Sequence, residues 1–106
     1  MIDIQPQHLE IVEKILRTYL SEYEVRAFGS RVKGTARPFS DLDLVVMTTQ
    51  PLSLRTLCEV ENAFSESDLP WQVDIVDWAA TSAEFQQIIL QKSEIIQIGR
   101  MDLNYV

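Results

Sequence analysis

Residues 41–47 read Asp-Leu-Asp-Leu-Val-Val-Met, and this alternation constrains the fold more than any other feature of the chain. In an extended strand, side chains point to opposite faces in turn. Leu42, Leu44 and Val46 therefore share one face, and Asp41 and Asp43 share the other. The first face must be buried. The second must stay open where the acids stand, with their Cα atoms about 6–7 Å apart. Two unpaired carboxylates side by side repel one another. A divalent cation resolves that repulsion, and oxygen ligands on so short a pitch suit Mg²⁺, which is held by one or two carboxylates together with substrate phosphates. Two ions about 3.5–4 Å apart can be bridged by such a pair.

A second strand, Trp71-Gln72-Val73-Asp74-Ile75-Val76, repeats the pattern with one acid. Asp74 faces away from its apolar neighbours and joins Asp41 and Asp43 if the strands are adjacent. Asp77 is the competing acid. It falls on the apolar-facing parity and is read as lying beyond the strand end, which favours Asp74.

The residues before the acid pair carry the opposite charge. Val25 to Ser40 contains no acid but holds Arg26, Arg31, Lys33 and Arg37, four of the nine Lys+Arg in a chain with sixteen Asp+Glu and a net charge of −7. Gly29 lets the backbone approach a ligand closely, and Ser30 adds a hydroxyl and an N–H. If Ser30 opens a short helix, its N–H groups form an anion site. Arg31, Lys33 and Arg37 are assigned as phosphate-side helpers on charge alone, against the plain alternative of solvated surface. A cation site beside a phosphate site is what a Mg²⁺-bound nucleoside triphosphate requires. Gly29–Gly34 is not a P-loop, because Thr35 stands where that motif needs Lys, and there is no G-x-G-x-x-G.

The rest of the chain is helical or turn-rich. Apolar residues from Leu9 to Leu20 predict an amphipathic helix over about Gln7–Glu22, with Pro6 in its first turn. Val25–Phe28 reads as a strand. Pro51 and Ser53 open a second helix along Leu54, Leu57, Val60 and Phe64. Thr81-Ser82-Ala83-Glu84 has capping-box spacing and opens a last helix. The segment from Ile95 onward shows no regular pattern. Its apolar residues, Ile95, Ile96, Ile98, Tyr105 and Val106, suit either a partner contact or packing on the chain's own core. The expected architecture is α/β (α+β): one domain over residues 1–106, a small mixed β-sheet with helices mainly on one face.

Composition removes several functions. One Cys and one His cannot build a structural zinc site or a disulfide framework, which points to a reducing compartment and a cytoplasmic protein. Cys58 reads as a buried thiol, His8 as a surface residue and Trp71 as core or rim packing. The acidic balance disfavours direct DNA or RNA binding. No apolar run approaches the roughly 20 residues of a membrane helix.

Gly29-Ser30, ten residues, then Asp41-Leu42-Asp43 resembles the signature of the polymerase-β-type nucleotidyltransferases. Phe28-Gly29-Ser30-Arg31 and Ser40-Asp41-Leu42-Asp43-Leu44 are most similar to the family's minimal members, and the likeness covers about Tyr23 to Trp78. The resemblance implies that Gly29 and Ser30 hold the β- and γ-phosphates of ATP. It implies that Asp41 and Asp43 bind two Mg²⁺ ions, and that Asp74 ligates one metal and activates the acceptor hydroxyl. It further implies a small helical HEPN-type protein as partner in a hetero-oligomer. The minimal nucleotidyltransferase would be the antitoxin of a toxin–antitoxin pair and would transfer AMP to that partner. The alternative is a catalytically silent subunit that neutralises the helical partner by binding.

Overall fold

Three fully buried side chains, Val12, Leu16 and Leu20, recur every four residues and press the first helix onto the sheet. The computed structural model describes residues 2–99. Its elements are α1 (Pro6–Tyr19), β1 (Val25–Phe28), α2 (Ser30–Lys33), β2 (Leu42–Val46), α3 (Leu54–Ser65), β3 (Val73–Asp77), a 3-10 turn at Trp78–Ala80, α4 (Ala83–Gln91) and β4 (Glu94–Gln97). α1 ends three residues before the sequence reading. Leu20 leaves helical geometry while its N–H still reaches Leu16 O at 2.8 Å, and the chain then turns into β1.

The sheet order is β3-β2-β1-β4. β1 is antiparallel to both β2 and β4, whereas β2 and β3 are parallel and need the crossover that α3 supplies. On the core face Val25, Ala27, Leu42, Leu44 and Val46 are wholly buried, under Leu16 and Val12 of α1 and Val60 and Phe64 of α3. The opposite face is covered by α4, whose Ile89 packs with Phe28 and Val45. Phe85 meets Phe28 edge-to-face at 5.9 Å. Two long helices on one face and one short helix on the other match the expected architecture.

The structure corrects several local readings. β4 was not anticipated. It is four residues long, its register slips by a bulge between Val25 and Arg26, and no Gly or Pro marks its start. Gln97 ties it down by donating to Leu20 O at 2.8 Å and Tyr23 O at 3.0 Å. Of the apolar tail, Ile96 packs against the core, Ile95 and Ile98 are exposed, and Tyr105 and Val106 lie outside the described residues. The cap of α4 is Ser82, which accepts from Phe85 N, while Thr81 donates its hydroxyl to Asp77 O.

Cys58 is exposed, not buried. At 100° per residue it lies about 160° around α3 from Val60, the centre of the buried stripe. His8 is half-buried, edge-on to the buried Trp71 at 5.9 Å, so Trp71 packs inside as expected.

Candidate active site

Strand register assembles the acids. Phe28 of β1 faces Asp43 of β2, and Asp43 faces Asp74 of β3. Residues opposite one another in a sheet share a face, so Asp43 and Asp74 stand side by side on the α4 side, at the sheet end where β2 and β3 begin. Asp41 lies immediately before β2. Asp74 is close enough to Asp41 and Asp43 for the three carboxylates to act on one another electrostatically.

The electrostatics follow from that crowding. Burial raises the Asp43 carboxyl above its ordinary range, and the charges of Asp74 and Asp41 raise it further. Asp74 is raised by its own desolvation, then by Asp41, against a smaller opposing hydrogen bond from Asp43. Both folded values exceed the unfolded value of about 3.9. The folded protein therefore keeps protons that the unfolded chain has released, and stability falls as pH rises through the folded values. In chelator at pH 7, Asp43→Asn is expected to raise Tm by roughly 2–5 °C, since each ~1 kcal/mol moves a domain of this size by about 4–8 °C. The gap should close near pH 4. A thermal melt series from pH 4 to 8 checks this, and an Asp43→Asn protein less stable than wild type at pH 7 would contradict it.

Gly29 closes the site from the β1 side. Its φ of 79° and ψ of −156° suit glycine alone. A Cβ built there would overlap Asp43 Oδ2 and sit 3.2 Å from Asp43 Cγ. The backbone thus reaches the carboxylate with no side chain between them. Ser30 is the first residue of α2, and Gly29 O accepts from Val32 N and Lys33 N, both at 3.0 Å.

Arg31 has a different place from the one its charge suggested. It is 5% exposed and stacks on Trp71, 4.5 Å from the ring centroid. Its guanidinium donates to Asp3 O at 2.9 Å, to Pro38 O at 3.1 Å, and to Ser40 O at 3.0 and 2.8 Å. These bonds turn it into the protein, away from the carboxylates. Backbone carbonyls take its hydrogen bonds. Because Ser40 precedes Asp41, Arg31 positions the entry to the acidic strand. Lys33 and Arg37 are exposed, and Arg26 pairs with Glu24. Arg31→Lys is expected to cost about 2–4 kcal/mol, since an ammonium cannot span three carbonyls and leaves buried acceptors unsatisfied. Urea melts read this directly. A loss below ~0.5 kcal/mol would exclude the clamp.

Asp77 is the last residue of β3, so the strand runs one residue past the end assumed from sequence, and it points to the core face as its parity required. It is buried and accepts from the Thr48 hydroxyl and from Leu52 N at 2.6 Å. Ala79 N donates to the Thr48 hydroxyl at 3.0 Å. Asp77 therefore ties the β2–α3 loop to the end of β3. Asp77→Ala should cost about 1–3 kcal/mol and leave nucleotide binding unchanged, as melts and equilibrium titration would show.

The donor set fits a hard divalent cation. It offers three neighbouring carboxylates, two of them with pKa values raised by burial and then by mutual repulsion. Among the described residues no group of three or more acidic, histidine or cysteine side chains is gathered closely enough to hold a metal ion by itself, so substrate oxygens and waters would have to complete the ligand set. The site is open toward solvent, which suits a cation that retains waters and substrate oxygens.

Residues 10–98 match the family model for polymerase beta, nucleotidyltransferase. A Haemophilus influenzae protein named probable protein adenylyltransferase MntA is 48% identical over 96 residues, covering 91% of this chain and 84% of that protein. The fold is similar to a chain of a toxin–antitoxin crystal structure with AMP-PNP, with TM-score 0.72, 24% identity, and 89% and 76% of the two chains covered. It is also similar to a chain of a tri-AMPylated Shewanella oneidensis HEPN toxin in complex with MNT antitoxin, with TM-score 0.68, 21% identity, and 95% and 78% coverage. At these identities the solved structures establish the shared fold.

Proposed function

The chain belongs to the polymerase-β nucleotidyltransferase family, and from that premise we propose that it transfers AMP from ATP to a hydroxyl of a small helical HEPN-type partner protein. The whole chain acts as one nucleotidyltransferase domain and as the antitoxin of a toxin–antitoxin pair. The observation that carries this reading is the single row Phe28, Asp43, Asp74 across three strands, with Gly29 pressed against Asp43. The 48% identical relative bears the name of a protein adenylyltransferase, and similar folds occur in structures with AMP-PNP and with an AMPylated HEPN toxin.

Asp41, Asp43 and Asp74 would hold Mg²⁺, two ions in the full reading. When bound, the ions would neutralise negative charge that develops around the α-phosphorus. Gly29 and Ser30 receive the β- and γ-phosphates, because the glycine brings the turn backbone up against Asp43 and the start of α2 presents backbone N–H groups. Asp74 accepts the proton of the acceptor hydroxyl, its raised pKa bringing it closer to the range of a working base. The acceptor oxygen bonds to the α-phosphorus, the bond to the α–β bridging oxygen breaks, and pyrophosphate leaves toward Gly29.

No helix of the described residues is long and apolar enough to cross a membrane. We place the reaction in the cytoplasm, where the exposed Cys58 stays reduced. The test incubates the protein with α-phosphate-labelled ATP, Mg²⁺ and the helical protein encoded beside it. Label on the neighbour is the expected result. A stable complex that acquires no label from any of the four triphosphates would replace this reading with a binding-only subunit.

A further inference from the structure

Arg31 holds the entry to β2 through Ser40 O, and the same guanidinium lies against the approach to β3. Its central carbon stands 4.5 Å from the centre of the Trp71 ring, and both residues are buried. A guanidinium over an indole face is attracted by the ring quadrupole, most strongly where water is excluded. Trp71 leads through Gln72 into β3, and Gln72 O accepts from Leu42 N at 2.9 Å, which joins the two acidic strands at their start. Arg31 itself belongs to α2, next to Ser30, which opens that helix. One stacked pair therefore borders all three parts of the site: the turn at Gly29 and Ser30, the strand that follows Ser40, and the strand that follows Trp71. The pair is braced from outside. Asp3 N donates to Arg31 O at 2.7 Å, Asp3 O accepts from the guanidinium at 2.9 Å, and His8 of α1 meets the Trp71 ring edge-on. Trp71 packs into the core cluster with Val73 and Ile75, on the face of the sheet opposite Asp74.

We infer that Trp71 is a positioning residue for nucleotidyl transfer: stacked on Arg31 behind the carboxylates, it sets where Asp74 stands relative to the Gly29–Ser30 turn. In-line displacement requires the attacking oxygen, the phosphorus and the leaving oxygen to lie in one line. The turn holds the leaving end of that line and Asp74 takes the proton at the attacking end. A shift of β3 against α2 therefore bends the line while leaving the phosphates their donors. The loss falls on the transfer step and not on ATP binding. The inference rests on the adenylyltransferase reading and adds what fixes the spacing of its two ends.

The test compares Trp71→Leu, Trp71→Phe and Val60→Ala in the protein–partner pair with labelled ATP and Mg²⁺, at a temperature where melts show every variant folded. Trp71→Leu should lower kcat by about tenfold or more, as a remote misplacement does. Its KM for ATP should stay within about threefold of wild type, the pattern of an interaction that matters only in the transition state. Trp71→Phe keeps an aromatic face for the guanidinium and should recover most of the loss. Val60→Ala, at a wholly buried residue of α3 in the same core cluster, is the control. It should lower Tm and keep the wild-type kcat. Arg31→Lys breaks the same pair, so adding it to Trp71→Leu should lower kcat little further. With wild type active, a Trp71→Leu kcat within about twofold of wild type, or an equal loss in Val60→Ala, would make Trp71 a core residue only and leave the adenylyltransferase reading intact. Absence of transfer by wild type would overturn both.

Discussion

Replacing Asp41 and Asp43 together with Ala abolishes AMP transfer, by at least about 10³-fold, since loss of even one preorganised electrostatic group costs ~10²–10³. The protein remains folded. Neither side chain belongs to the apolar core, which is carried by Leu42, Leu44 and Val46 on the other face of the same strand. The double substitution removes the desolvation cost of Asp43 and the repulsion among the three carboxylates, so Tm in chelator should equal or exceed that of wild type. The second readout is Mg²⁺ itself. Millimolar Mg²⁺ should raise the wild-type Tm by a binding increment and leave the double variant unmoved. Partner binding should persist, because the sheet and both helical layers are intact. Labelled transfer that survives the double substitution would remove the carboxylates from the mechanism. A double variant that unfolds would show that they serve the fold.

The acids were legible because a strand imposes period two on its side chains, and the apolar partners of Asp41, Asp43 and Asp74 fixed which face each occupied. The same rule separated Asp74 from Asp77, which lies on the core face bound to Thr48 and Leu52. Arg31 was not legible. Its charge says nothing about whether it meets a phosphate or a carbonyl. That depends on where Asp3, Pro38 and Ser40 arrive in space, and Asp3 is 28 residues away. Cys58 fails for a related reason. A helix with Leu54 and Leu57 on one side of Cys58 and Val60 and Phe64 on the other offers two candidate stripes, and only docking on β3 selects the second. Leu54 is left 77% exposed. β4 was hidden because a four-residue strand with a bulge keeps no period long enough to read.

Gly29→Ala is the most informative single change, because two penalties meet at one Cβ. The backbone conformation is one that an L-residue holds only under strain, about 1–3 kcal/mol. The added methyl would also overlap Asp43 Oδ2, with Cγ 3.2 Å away. Asp43 must then rotate out of the row, or β1 must part from β2. Either outcome displaces a carboxylate the reaction needs, so transfer should fall by at least about 10²-fold, as expected for a misplacement near 1 Å. Gly34→Ala is the control. Its φ of 81° and ψ of 17° lie in the left-handed helical region, a milder strain than at Gly29, and nothing lies within 4 Å of the new Cβ. It should cost about 1 kcal/mol of stability and leave transfer near wild type. The overlap is separable from the strain by a double-mutant cycle. In an Asp43→Ala background the offending oxygen and Cγ are gone, and Gly29→Ala should then cost only its backbone strain. The expected coupling in urea melts is roughly 1–2 kcal/mol, within the 0.5–3 kcal/mol found for residues in contact. A coupling of zero, with transfer unchanged in Gly29→Ala, would mean that the glycine serves the turn alone and that its approach to Asp43 has no part in catalysis.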